Sequence, residues 1–138
     1  MKIRDILKNK GDDVITLSPA TKASSAAQIL VQQSIGAAVV VDDDKTLVGL
    51  LSERDIARGL AEHGEQVAQL CVGDLMSDDV VTCDVDWNAS AALEVMLAHN
   101  FRHLPVLDND GEIFGIVSMR DMAAMGINDI GWAIRQAS

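Results

Sequence analysis

One pattern of apolar and polar positions is used twice along this chain. Residues 14–17, Val-Ile-Thr-Leu, form a β-branched run stopped by Ser18-Pro19 and predict a short strand. Ala23, Ala26, Ala27, Leu30 and Val31 recur at helical spacing and predict a helix over about 22–33, with Thr21 as its N-cap. Ser34-Ile35-Gly36 ends it, Gly36 being the candidate for the positive φ of a helix stop. Ala37–Val41 is an unbroken apolar run, the pattern of a strand buried on both faces. Asp42-Asp43-Asp44 turns the chain, and 46–51 returns as the second strand of a hairpin. Ser52 opens a helix with Ile56, Ala57, Leu60 and Ala61 on one face, ended by His63-Gly64.

Residues 65–76 lead onward, with Gly73-Asp74-Leu75-Met76 as a helical turn. The order then repeats: strand 80–83, helix about 88–99, strand 104–107, turn Asn109-Asp110-Gly111, strand 113–117 and a helix from Met119. Trp87 stands where the first copy has Thr21, so the second helix needs Asp86 or Asn88 as its cap. A shift of 66 residues (115 − 49) aligns 14–55 with 80–121 without a gap and makes 12 of 42 positions identical. The most compact match is Gly49-Leu50-Leu51-Ser52-Glu53-Arg54-Asp55 against Gly115-Ile116-Val117-Ser118-Met119-Arg120-Asp121. Upstream, Asp5-Ile6-Leu7 resembles Asp74-Leu75-Met76, the first copy carrying three extra residues around 8–13.

An ungapped repeat that keeps two turns in register is one duplicated supersecondary unit, and neither half is large enough to bury its apolar face alone. The predicted class is α/β in the broad, α+β sense: a tandem pair of β-α-β-β-α units related by a pseudo-two-fold, with sheets face to face and helices outside. The expected division is 1–64 for the first unit with its lead, 65–79 for a connection, 80–126 for the second unit, and 127–138 for a tail. In that tail Ile130, Trp132 and Ile134 form a weak helical pattern.

Composition narrows the functions. A net charge of −10 argues against nucleic acid and anionic membrane surfaces as partners, since both demand clustered Lys and Arg. No apolar run approaches the length of a membrane span, and Met1-Lys2-Ile3-Arg4-Asp5 lacks the apolar stretch of a signal peptide. Cys71 and Cys83 lie outside any CxxC pattern and read as reduced core thiols, which points to the cytoplasm. His63 and His99 have no partners at ligand spacing, the Asp runs lack an EF-hand pattern, and the glycines form no P-loop, so no metal and no catalytic residue is expected.

Ser52-x-x-Asp55 and Ser118-x-x-Asp121 have the form of a capping box, in which Ser accepts from a helical amide and the carboxylate accepts from the Ser amide. An ionised carboxylate has about four lone-pair sites, so capping leaves room for further donors. Arg54 and Arg120 lie beside helix N-termini, where an anion is favoured and a guanidinium adds fork-shaped contacts to phosphate. Each is equally suited to pairing with surface carboxylates.

The order of elements, the Gly-h-h-Ser-x-Arg-Asp stretch and Arg102-His103-Leu104-Pro105-Val106 resemble the cystathionine-β-synthase-type domain, the CBS domain, here in tandem as a CBS pair. The likeness covers about 14–62 and 80–125, and phrases such as Ser-Glu-Arg-Asp-Ile and Val-Val-Thr-Cys are similar to the small stand-alone bacterial members. The resemblance implies a sensor or regulator of a partner protein, not an enzyme, that dimerises and binds an adenosine-containing ligand in clefts between the two units. AMP, ADP, ATP, NAD(H) and S-adenosylmethionine are the ligands it suggests. By the same resemblance Asp55 and Asp121 receive the ribose hydroxyls, with Ser52 and Ser118 beside them. Arg54, Arg120, Arg102 and His103 reach toward phosphates. Val14, Ile15, Thr16, Val80, Val81 and Thr82 face adenine and ribose, and the strand edges Gly36-Ala37-Ala38 and His103-Leu104-Pro105 lie beside the base. Small residues in the first copy against Arg102 and His103 in the second imply two non-equivalent clefts. The competing reading is an assembly module that dimerises without a ligand.

Overall fold

The computed structural model describes residues 1–7 and 14–127. Along them run α1 (Ile3–Leu7), β1 (Thr16–Leu17), α2 (Ala23–Gln32), β2 (Ala37–Val41), β3 (Leu47–Ser52) and α3 (Glu53–His63). A 3-10 turn at Gly64–Gln69 and α4 (Val72–Leu75) follow, then β4 (Cys83–Asp84), α5 (Ala89–His99), β5 (His103–Leu107), β6 (Ile113–Ser118) and α6 (Met119–Ala124). The expected helical tail lies outside the described residues except for Ile127.

The strands form two three-stranded sheets in the orders β1-β2-β3 and β4-β5-β6, a mixed α and β architecture as predicted. In each, the first pair is parallel and the second is an antiparallel hairpin. The hairpins share one turn. Asp42 Oδ1 accepts from the amides of Asp44 and Thr46, both at 2.9 Å, and Asp108 Oδ1 accepts from those of Asp110 and Glu112, also at 2.9 Å. Both turns need a left-handed residue at the equivalent place, which is Lys45 (φ 64°) in one and Gly111 (φ 80°) in the other.

α2 and α5 also end alike, in Schellman motifs. Ile35 N–H donates to Leu30 O at 3.0 Å and Phe101 N–H to Met96 O at 2.8 Å. The left-handed residues are Ser34 (φ 55°) and Asn100 (φ 56°), so Gly36 does not supply the helix stop. Thr21 is not the cap of α2 either. The cap positions are Lys22 and Asn88, neither with a side-chain hydrogen bond. Backbone carbonyls take that role, since Ala23 N–H donates to Leu70 O and Ala89 N–H to Met1 O, both at 2.8 Å.

Those two carbonyls expose a departure from the expected division. The described residues form one compact unit from 1–7, 14 and 81–127, and another from 15–80. The lead α1, expected with the first copy, docks on the second. Ile3 N–H donates to Trp87 O and Arg4 N–H to Val85 O, each at 3.0 Å, and the Arg4 guanidinium reaches Asp86 at 2.7 Å. The matching segment α4, expected in a connection, docks on the first copy through equivalent bonds, Val72 N–H to Thr21 O at 2.8 Å and Gly73 N–H to Pro19 O at 2.9 Å. The two leads have the same sequence pattern and so the same docking face. Hydrophobic periodicity describes that face but does not say which sheet covers it.

Each unit has its own core. Ile3, Ile6 and Leu7 join Cys83, Val85, Met96, Leu104, Val106, Val117 and Met122 in one, and Leu17, Ala26, Leu30, Ala38, Val40, Leu51 and Val72 form the other. The central strand β2 is buried at Ala37, Ala38, Val39 and Val40, as its continuous hydrophobicity predicts. The apolar face expected on α3 is buried only in part, Ile56 packing against the first core while Ala57, Leu60 and Ala61 stay exposed. Leu60 is 57 % exposed and Val31 on α2 is 79 % exposed, while α3 packs through Gly59 against Leu75 and Val67.

Candidate functional site

The register of each sheet gathers the predicted residues at one end. In the first copy β1 pairs in parallel with β2 (Thr16 with Val39), and β3 returns to place Ser52 opposite Ala37. The starts of β1 and β2 and the end of β3 therefore meet, bringing Ile15, Thr16, Gly36, Ala37, Ala38 and Ser52 together. Glu53 N–H donates to Gly36 O at 3.0 Å, which fixes the N-terminus of α3, with Arg54 and Asp55, at that edge. The second copy repeats this geometry. His103 pairs with Ser118, and Met119 N–H donates to Arg102 O at 2.9 Å, so Thr82, Arg102, His103, Arg120 and Asp121 converge. Val14 and Val80 fall to the opposite unit from the rest of their own copies.

Both capping boxes form. Ser52 N–H donates to Asp55 Oδ2 at 2.9 Å and Asp55 N–H to Ser52 Oγ at 3.2 Å. Ser118 N–H donates to Asp121 Oδ2 at 2.8 Å and Asp121 N–H to Ser118 Oγ at 3.0 Å. The motif glycine of the first copy also has a structural reason. A side chain at Gly49 would collide with Met76, so this glycine admits the end of α4 against its copy, whereas at Gly115 it would make only an ordinary contact with Leu7.

The copies are not equivalent. Asp55 is 5 % exposed and accepts from Arg58 Nη1 at 3.2 Å on Oδ1, whereas Asp121 is half-buried. Arg58 was not among the residues singled out from the sequence. Its position matches Ala124 in the second copy, and that contrast is the signal the repeat offered. Ala38 and Leu104 belong to the cores, and Ala37 and Pro105 are also buried, so these strand edges have only their main chain and His103, half-buried, to present. Arg54, Arg102, Arg120 and Thr16 are exposed, while Ile15, Val81 and Thr82 are half-buried. Among the described residues no group of three or more His, Cys, Asp or Glu could hold a metal.

Cys83, beside Thr82, is buried in the second core, and desolvation, with the negative charge of Asp84 second, pushes its thiol up from 9.0 to about 12. The unfolded thiol ionises from about pH 9 and the folded one only near 12, so the folded chain binds the extra proton in that window and stability falls as pH rises through it. Urea midpoints measured from pH 8 to pH 11 are expected to fall more steeply for the native chain than for Cys83→Ala. Parallel slopes would show that this thiol does not contribute.

Comparison with known proteins adds to this geometry. The family model described as CBS domain matches residues 3–62 and 72–125. An uncharacterized protein of Methanopyrus kandleri, MK0525, is 32 % identical over 110 residues, which are 80 % of this chain and 56 % of that protein, so the chain spans little more than half of that relative. An inosine-5'-monophosphate dehydrogenase of Methanocaldococcus jannaschii is 33 % identical over 110 residues, only 21 % of that enzyme. Among solved structures, the CBS-domain containing protein ATU1752 of Agrobacterium tumefaciens matches with TM-score 0.87 and 35 % identity, over 92 % of this chain and 100 % of that one. PAE2072 of Pyrobaculum aerophilum, complexed with AMP, matches with TM-score 0.80 and 25 % identity over 92 % and 98 %. The CBS domain pair of MJ0100, in complex with 5-methylthioadenosine and S-adenosyl-L-methionine, matches with TM-score 0.80 and 26 % identity over 91 % and 94 %.

Proposed function

Since the chain belongs to the CBS domain family and carries the domain twice, we propose that it is a regulatory module that binds an adenosine-containing ligand and passes its occupancy to a partner protein. The observation that carries this reading is the repeated strand-end site with a carboxylate at the helix entrance. In each copy the cap uses Oδ2 of the aspartate for one amide, and a carboxylate can accept several further donors. A ribose supplies two adjacent hydroxyls, a match for the two oxygens of one carboxylate. Solved relatives hold AMP or S-adenosylmethionine with methylthioadenosine, ligands that share adenine and ribose and differ beyond the 5' carbon. Asp121 is the leading ribose acceptor because it is the less buried of the pair. Arg102 and Arg120 stand exposed nearby as the groups to meet a phosphate. No helix among the described residues is long and apolar enough to cross a membrane, and we place the protein in the cytoplasm.

The test is a thermal-shift screen against AMP, ADP, ATP, NAD, NADH and S-adenosylmethionine. A ligand that binds only the folded chain stabilises it by about 2.7 kcal/mol at a hundredfold excess over its dissociation constant, an easily read rise in midpoint. At least one of the six is expected to give that rise. A flat response to all of them would reject the adenosine reading.

One observation favours assembly as a second reading. Val31 and Leu60 are large apolar side chains left exposed on α2 and α3. A homodimer covering them agrees with either function, and a flat screen together with a stable dimer in sedimentation would select assembly alone.

A further inference from the structure

We propose that the chain's own residues 128–138 dock along α5 and cover an apolar groove that only the second copy carries. The groove has a volume of about 590 Å³, and its walls include Trp87, Ala91, Glu94, Val95, Ala98 and His99. Ala91 and Ala98 are exposed, while Trp87 and Val95 are half-buried at the margin of the second core. The shift of 66 residues that aligns the copies sets Thr21, Ser25 and Gln32 against Trp87, Ala91 and Ala98. Ser25 and Gln32 are exposed, so the first copy gives this face of α2 to water with polar side chains. The second copy keeps the helix and makes the face apolar, which costs solvation unless something covers it. A face altered in one copy calls for an occupant found in one copy. The same shift sets 62–72 against 128–138 and finds no identical residue between them.

Starting point, reach and charge all suit that segment. α6 stops in a Schellman turn at Gly126 (φ 77°), with Ile127 N–H donating to Met122 O at 2.9 Å. Ile127 packs against the second core, the same core that Trp87 and Val95 border. At a helical rise 128–138 would extend about 16 Å, the length of α5 with its 11 residues. Ile127, Ile130, Ile134 and Ala137 recur at i, i+3, i+7 and i+10, the spacing with which an amphipathic segment lays one face in a groove. In that register Trp132 faces away from α5. Glu94 stands exposed on the groove wall, and Arg135 is the one basic residue of 128–138. Two copies of this chain pairing symmetrically through the same groove would bring two Glu94 carboxylates and no Lys or Arg from its walls. The chain's own segment supplies the cation.

The experiment uses the full chain and its own fluorescence. Trp87 and Trp132 are the two tryptophans, so Trp132→Phe leaves the groove wall as the single reporter. In that chain Trp87 is expected to emit at short wavelength and to resist acrylamide. Adding Ile130→Asp and Ile134→Asp is expected to red-shift the emission and to raise quenching roughly twofold, as the ring regains water on one face. Glu94 is exposed, so Glu94→Lys reads the contact without touching the core. It is expected to weaken docking about twofold to fivefold, the effect of an exposed ion pair, and Arg135→Glu added to it is expected to restore the protection of Trp87. Each spectrum is repeated on dilution to the monomer, followed by sedimentation. Protection that survives dilution assigns the groove to the chain's own segment. Protection lost on dilution would give it to a second copy and overturn the proposal. The same emission and quenching with and without the two Ile substitutions, or no rescue by Arg135→Glu, would overturn it as well.

Discussion

Asp121→Ala is expected to weaken AMP binding about a hundredfold or more. Hydrogen bonds to a charged acceptor contribute about 1.5–3 kcal/mol each, and a ribose diol makes two of them to one carboxylate. Each 1.4 kcal/mol is about a factor of ten in affinity, so losing both bonds exceeds a hundredfold even after water replaces part of the interaction. The substitution also removes the return bond of the capping box, from Ser118 N–H at 2.8 Å, and a lost cap costs about 1 kcal/mol of stability. The two effects separate by measurement, since affinity comes from calorimetry at a temperature where the variant is folded and stability from urea denaturation. Asp121→Asn keeps an acceptor for the Ser118 amide but loses the charge, and is expected to fall between. A change in AMP affinity below about threefold in Asp121→Ala, with the fold intact, would remove Asp121 from the site.

The second large effect concerns the lead helix. Ile3 and Ile6 are 0 % and 2 % exposed within the core of the second copy, and truncating a buried Ile to Ala costs about 2–5 kcal/mol. Ile6→Ala is expected to lose about 3 kcal/mol, and the double variant with Ile3→Ala to lose more than half the stability of a domain this size. The position of the damage matters as much as its size. Hydrogen exchange is expected to rise at Ala89, whose amide donates to Met1 O at 2.8 Å, and along β6, while β2 and β3 keep their protection. A loss confined to the first copy, or a cost under about 1 kcal/mol, would contradict the docking of α1 on the second.

The same pair of predictions shows which features a reader of the sequence could reach. Ser52 with Asp55 and Ser118 with Asp121 were legible because a capping box is local. Its four atoms lie within one turn, and any chain with that spacing before a helix can make it. The burial of Ala37, Ala38, Val39 and Val40 was legible because an unbroken apolar run of strand length has no solvated face. The helix ends at Ser34 and Asn100 were nearly legible, but the preference for glycine drew attention to Gly36, two residues late. Leu60 and Val31 were misplaced for a further reason. An apolar residue at helical spacing is a condition for burial, and whether anything covers it depends on elements elsewhere in the chain.

By itself, then, the sequence determined the duplication, the order of strands and helices, both hairpins, both capped helix entrances and the family, all of which depend on residues close together or on a pattern written twice. Only the tertiary structure decided that α1 completes the second copy and α4 the first, that carbonyls of Met1 and Leu70 cap the long helices, and that Arg58 donates to Asp55. The physical reason is common to all three. Two copies with like faces give each lead helix two sheets it fits, and two aspartates with like neighbours give two sites that look alike. Periodicity and motif are blind to which copy a lead helix completes, and chain connectivity makes that choice.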